Sequence, residues 1–319
     1  MSAARPGPGG LARPLLSLLA ALVCVAAVVM LARTAVGTAS GQRLDQLTLS
    51  GASAHQGRLS QYAELAVGTV SLPVISALLA LALVLVLVRR RFALLLPLAG
   101  LVLGANLTTQ VVKHLLVTRE ALGPGIEITP NSFPSGHTTL AATAMIALVL
   151  AAGRARAVLA PLGVLWTTAA GIGTLVVGWH RPSDVVGAIA VAAAWTFLVL
   201  AVDGLHTRRR NARAAARTGR GRRRRGAPDA DATGRGRASR AERAVALLLG
   251  LVGLAGLALG AAALSALQLP LDLRDVVQQL DAFTATSALI GGGTAAWLAL
   301  VLALRTPISH GTPPGDRVP

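Results

Sequence analysis

Eight long apolar stretches, at 14–32, 70–88, 92–112, 138–152, 157–177, 185–202, 244–264 and 287–304, constrain this chain more than any other feature. A hydrocarbon core about 30 Å thick takes roughly 20 residues of helix at 1.5 Å each, and these stretches come close to that length. The fourth is short, as a tilted or partly re-entrant segment is. Inside lipid every backbone N–H and C=O must find a partner within the protein, which leaves helices or a closed barrel. Runs this long and this continuous predict helices, so the expected fold is an all-α polytopic membrane bundle. It consists of a six-span core and a C-terminal two-helix hairpin. Composition agrees: 54% of the residues are hydrophobic, 13% are charged, and the mean hydropathy is +0.64. Aromatic residues make up 3%, so Ala, Leu and Val supply the apolar surface, as suits close packing of helices in lipid. The single cysteine, Cys24, excludes an internal disulfide and a cysteine-based metal site.

Charge is distributed unevenly. Between His206 and Arg243, fourteen arginines against three acids carry eleven of the +17 net charges. A surplus held in one Gly/Ala/Arg-rich stretch predicts a solvated, disordered linker at 204–243. Next to membrane spans it is expected to meet anionic lipid headgroups, and no nucleic-acid partner is expected. Arg5 and Arg13, Arg89 to Arg91, and Arg154 with Arg156 fall on the linker's side if each span crosses once. Excess arginine marks the cytoplasmic side, so both termini are expected there, in a multi-pass protein of the cell membrane. The predicted organisation is a membrane domain at 1–203, the linker at 204–243, a hairpin at 244–305 and a tail at 306–319. The first span reads as an anchor, with a signal peptide as the alternative. The segment 37–65 reads as an interfacial stretch or a disordered loop.

Polar residues are scarce, so their grouping is informative. This topology sends His114, His137 and His180 to the non-cytoplasmic surface. Lys113, the chain's one lysine, stands at the outer end of the third span, and Arg119 follows six residues later. Pro134-Ser135-Gly136-His137 precedes the fourth span. There Ser135 is a natural helix cap and Gly136 permits close approach, so free N–H groups face an anion. His180-Arg181-Pro182-Ser183-Asp184 opens the sixth span, with His180 and Asp184 four apart on one face. A carboxylate so placed holds one ring nitrogen and leaves the other as a nucleophile.

These residues resemble the type 2 phosphatidic acid phosphatase family, which shares its fold with vanadium haloperoxidases. Lys113 and Arg119 match its first motif in part. Pro134 to His137 match its second in full, and His180 with Asp184 match the latter half of its third. The resemblance covers about 92–202. Arg119 comes one residue early and Glu120 stands where proline is usual. The Ser-Arg that opens the third motif falls on Gly173-Thr174. Arg181, beside His180, is the candidate substitute for the missing arginine.

The resemblance implies a phosphoric monoester or diphosphate hydrolase of lipid phosphatase type. His180 is then the nucleophile that forms a phosphohistidine, Asp184 orients it, and His137 is the acid. Lys113, Arg119, Ser135, Gly136 and Arg181 bind phosphate. No cofactor or metal is expected. The expected substrate is a membrane lipid: a polyprenyl pyrophosphate such as undecaprenyl pyrophosphate, phosphatidic acid or phosphatidylglycerol phosphate. The alternative is a non-catalytic lipid-binding or scaffold protein with a degenerate site. A transporter fits less well, because no span carries a charge at its middle.

Overall fold

The structure, a computed structural model, describes residues 9–126, 131–221 and 239–305. Ten helices follow one another: α1 (Gly9–Leu31), α2 (Ala39–Ala54), α3 (Gln56–Gly68), α4 (Leu72–Val88), α5 (Leu95–Val111), α6 (Gly136–Ala151), α7 (Arg156–Val176), α8 (Pro182–Gly221), α9 (Arg240–Ser265) and α10 (Val276–Leu304). Among the described residues there is no strand. The chain is an all-α membrane bundle. Among the described residues six helices are long and apolar enough to cross a bilayer: Leu11–Val36, Phe92–Leu116, Gly153–Val176, Pro182–Arg209, Arg240–Ser265 and Val276–Leu304. Leu59–Gly68 and Leu72–Val88, bent by 53°, make a seventh if taken as one span. Each of the eight apolar stretches in the sequence is thus a helix.

The short fourth stretch has a physical explanation. Its helix α6 has 16 residues and is about 24 Å long at 1.5 Å per residue. It is buried along nearly its whole length, with α4, α5, α7 and α8 packed around it. Ala141, Ala142, Thr143 and Ala144 have no exposed surface, and small residues like these let neighbouring backbones come close. A helix surrounded by protein need not reach both lipid faces. The candidate site forms at the N-terminus of α6.

Segment 37–65 folds as two helices. Thr38 caps α2, its Oγ1 accepting from Gly41 N at 3.1 Å. Helix α2 lies against α10 so closely that a Cβ on Gly51 would come within 2.0 Å of the Gln279 carbonyl oxygen. Its inward face carries Gln42, Asp45, Gln46 and Thr48, all buried. At the C-terminal end, α9 and α10 pair through Gly253, Gly256 and Gly260 on one side and Gly292 and Ala296 on the other. Helix α1 runs along α8, with Pro14 seated on Gly204. Helix α8 continues to Gly221, so the first part of the segment expected as linker is helical. Residues 222–238 of that linker, the tail at 306–319 and loop positions 127–130 lie outside the described residues.

Candidate functional site

Three helix ends and one loop meet at the N-terminal end of α6. Ser135 caps α6, its Oγ accepting from Thr138 N at 3.3 Å. The α7–α8 turn is made possible by Gly178 at φ 76°, a left-handed conformation that costs glycine little. Beyond it the N–H groups of Trp179 and His180 donate to the Thr174 carbonyl at 2.9 and 3.2 Å. Pro182 then starts α8, where its missing N–H is no loss. Ser135 N donates to the Asp184 carbonyl at 2.9 Å, which ties the starts of α6 and α8 together. The loop after α5 is held by Asn131, whose Nδ2 donates to the carbonyls of Lys113 and Val117 at 2.9 and 2.5 Å.

This framework brings His137 and His180 together, their ring centroids 6.2 Å apart and edge to face. His180 is buried, and His137 is open to the surface. Nδ1 of His180 lies 3.5 Å from Asp184 Oδ2, a separation for an ion pair rather than a close hydrogen bond. Asp184 has no exposed surface. Its Oδ2 accepts from Ser132 Oγ at 2.5 Å and from Arg181 N at 2.9 Å. A carboxylate fixed on two sides in this way holds its orientation without help from the histidine.

Arg119 closes the other side of Asp184. Its Nη2 is 3.4 Å from Asp184 Oδ1, 3.3 Å from Asp45 Oδ2 and 3.1 Å from Ser183 Oγ. Asp45 in turn accepts from Ser183 N at 3.1 Å and Ser183 Oγ at 2.5 Å. Burial, and then the nearby Asp184, push the Asp45 carboxyl up to about 7, against the pull of Ser183 and Arg119. The Nε and Nη1 of Arg119 are buried without a hydrogen-bond acceptor. Orphaned buried donors are uncommon in folded proteins, and here they belong to a cation beside Asp184.

The structure places the other predicted residues as follows. Lys113 is half-buried in the π-helical turn Val112–Leu116 that ends α5. Arg181 is buried next to His180. The expectation that the Ser135 backbone N–H stays free for an anion is corrected, because that N–H is bonded to Asp184. Gly136 and His137 are the first-turn N–H groups for which the described residues show no acceptor. Gly173, one of the two positions where the motif's Ser-Arg is missing, packs on α3, and a Cβ there would lie 3.0 Å from Val67. Among the described residues no group of three or more His, Cys, Asp or Glu could hold a metal ion.

Sequence reasoning missed four residues of this cluster: Asp45, Ser132, Ser183 and Trp179. Trp179 is exposed and lies against His137, with ring centroids 5.4 Å apart. Ser132 and Ser183 flank motif residues and were readable as neighbours of them. Asp45 had one signal, the spacing of Gln42, Asp45 and Gln46 along one helix face.

In comparison with known families, the model of the PAP2 superfamily matches residues 94–208, from the turn before α5 into α8. This stretch is similar to PAP2 domains. Members of the superfamily are phosphatases that act on phosphate esters. The PAP2 segment contains both histidines, Asp184, Lys113, Arg119 and the Ser135 cap, whereas Asp45 reaches it from α2, outside the match. Comparison with curated proteins gave no match, and neither did comparison with solved structures.

Proposed function

We propose that the protein is a membrane phosphatase that hydrolyses a lipid phosphate or pyrophosphate monoester through a phosphohistidine at the non-cytoplasmic face. The single observation that carries this reading is the approach of His137 to His180 beside Asp184. Rings whose centroids are 6.2 Å apart are near enough for one nitrogen of each to address the same phosphoryl group.

In the proposed reaction Asp184 holds Nδ1 of His180 and leaves Nε2 to attack phosphorus. The N–P bond forms as the P–O bond to the lipid breaks, and His137 gives its proton to the departing oxygen. Water then attacks the phosphohistidine, His137 takes a proton from it, and phosphate leaves. Lys113, the free N–H groups of Arg119, and the backbone of Gly136 and His137 stabilise the charge gathering on the phosphoryl oxygens. Ser135 contributes by capping α6 and so aiming those N–H groups. Arg181 stands in for the arginine missing at Gly173-Thr174. If it does, Arg181→Ala raises KM for the phosphate ester, and an unchanged KM removes it from the scheme. A site at the outer end of a membrane bundle, with Trp179 exposed beside it, suits a substrate whose phosphate sits at headgroup level.

A second reading, a non-catalytic lipid-binding or scaffold protein, is favoured by the missing third-motif arginine. Phosphate release from detergent-solubilised protein separates the two. The substrates are a polyprenyl pyrophosphate, phosphatidic acid and phosphatidylglycerol phosphate. His180→Ala is expected to abolish release, and His137→Ala to slow it by about 10²–10⁴. Equal release by wild type and His180→Ala on all three supports the scaffold.

A further inference from the structure

The end of the bundle away from the histidines holds a second concentration of charge. The α4–α5 turn, the start of α7, the start of α9 and the end of α10 meet there. Arg89 donates to the Ala152 carbonyl at 2.5 Å. The adjacent Gly153, at φ 64°, leaves room for this guanidinium, which a Cβ would meet at 1.7 Å. Glu242 on α9 lies 3.6 Å from Arg156 Nε and also accepts from Arg305. Arg91 completes the group and feels the like charges of Arg89 and Arg305. Four guanidinium groups thus gather at this end, and two of them, Arg156 and Arg305, share the carboxylate of Glu242. Arg156 is 5% exposed, and the Nε atoms of Arg91, Arg156 and Arg305 are buried with no hydrogen-bond acceptor. Cations in such excess over acids, with a buried N–H left unused on three of them, favour an anion that joins the group.

An apolar groove begins under the same turn. It encloses about 370 Å³ between Leu79, Leu83 and Val86 on α4 and Leu96, Val102 and Leu103 on α5. Val86 is one helical turn before Arg89, and Leu96 follows Arg91 by five residues. From Leu79 to Val86 the groove runs roughly 10 Å along α4, at 1.5 Å per residue. An anion site at the mouth of a wholly apolar groove, both set among membrane helices, has the two-part character of a lipid.

We propose that this end of the bundle binds an anionic phospholipid, its phosphate among Arg89, Arg91, Arg156 and Arg305 and an acyl chain in the α4–α5 groove. The site is separate from the phosphatase residues, which sit at the opposite ends of α6, α7 and α8. It is also separate from the arginine-rich run of the linker, since its four arginines, Arg89, Arg91, Arg156 and Arg305, all lie outside 204–243. It would hold a structural lipid of the leaflet that α4 and α5 enter through their arginine turn.

Native mass spectrometry of the full chain, exchanged into mixed micelles of phosphatidylglycerol and phosphatidylcholine, tests this. Wild type is expected to retain one phosphatidylglycerol in clear preference to phosphatidylcholine. Arg89→Gln and Arg91→Gln, neither of which pairs with Glu242, are each expected to weaken that retention about fivefold, the ratio equivalent to ~1 kcal/mol per basic residue near anionic lipid. A variant with glutamine at 222–225 is expected to retain it as wild type does. Elution as a monodisperse species by size exclusion confirms that each variant has folded. Equal retention of the two lipids overturns the proposal, and so does full retention by both single variants. Loss caused by the linker change overturns it too, because the linker is then the lipid site. Displacement of the lipid by millimolar glycerol phosphate shows an anion site without the acyl groove, and equally overturns it.

Discussion

Asp184 has no exposed surface: Ser132 and the Arg181 N–H donate to its Oδ2, while Arg119 and His180 stand at ion-pair distance. Removing one hydrogen bond to a charged group typically costs about 1.5–3 kcal/mol, tenfold or more if it is felt in the transition state. Ser132→Ala should therefore lower kcat by at least about tenfold with KM little changed, as measured on the best substrate of the release assay. Asp45 carries a different prediction. Its carboxyl is raised from 3.8 to about 7 in the fold, so between those values the folded chain holds a proton that the unfolded chain has lost. Stability from this group is therefore present below about pH 4 and is lost as pH rises towards 7. Melting temperatures in detergent from pH 5 to 8 should fall more steeply for wild type than for Asp45→Asn, and the two slopes should agree above pH 7.5. His137, His180 and Asp184 could be read as a group because their spacing is local: a cap next to a histidine, and a histidine four residues from an acid. Asp45 was not legible, because it joins the site from 74 residues away through Arg119. Its helix also buries polar side chains, the reverse of the pattern by which an amphipathic helix is recognised.

At the scale of elements, the apolar stretches could be read as helices because lipid tolerates few alternatives. Their ends were less legible, since caps and tertiary contacts set them: Ser135 starts α6, Pro182 starts α8, and α8 runs past the expected boundary to Gly221. The C-terminal hairpin lies outside the PAP2 match, yet it touches the site through α2. Gly51 on α2 meets the Gln279 backbone, and Thr48 faces Thr286 at 3.5 Å. Gly51→Val should push α2 off α10, withdraw Asp45 from Ser183 and Arg119, and cost about 1–3 kcal/mol, the usual range for overpacking. Both melting temperature and phosphate release should fall. Gly57, where an added Cβ meets nothing within 4 Å, is the control that should change neither. Equal behaviour of the two variants would mean that the hairpin does not brace the site.

For the whole molecule, the two ends of the bundle are chemically distinct: histidines, carboxylates and Lys113 at one, and the Arg89, Arg91, Arg156 and Arg305 group at the other. The excess of arginine at the second end is the basis on which we propose that it faces the cytoplasm. Lys113 is the chain's single lysine. A membrane-impermeant amine reagent applied to intact cells should modify Lys113, as read by peptide mass spectrometry. Labelling only after the cells are opened would reverse the topology. The central claim is that His180 bonds to phosphorus during turnover. Rapid quenching of the enzyme with a lipid substrate labelled in its phosphate should trap an acid-labile, base-stable phosphoryl group on the peptide that contains His180, and none on the His180→Ala protein. Steady release of phosphate with that peptide unlabelled would contradict the account.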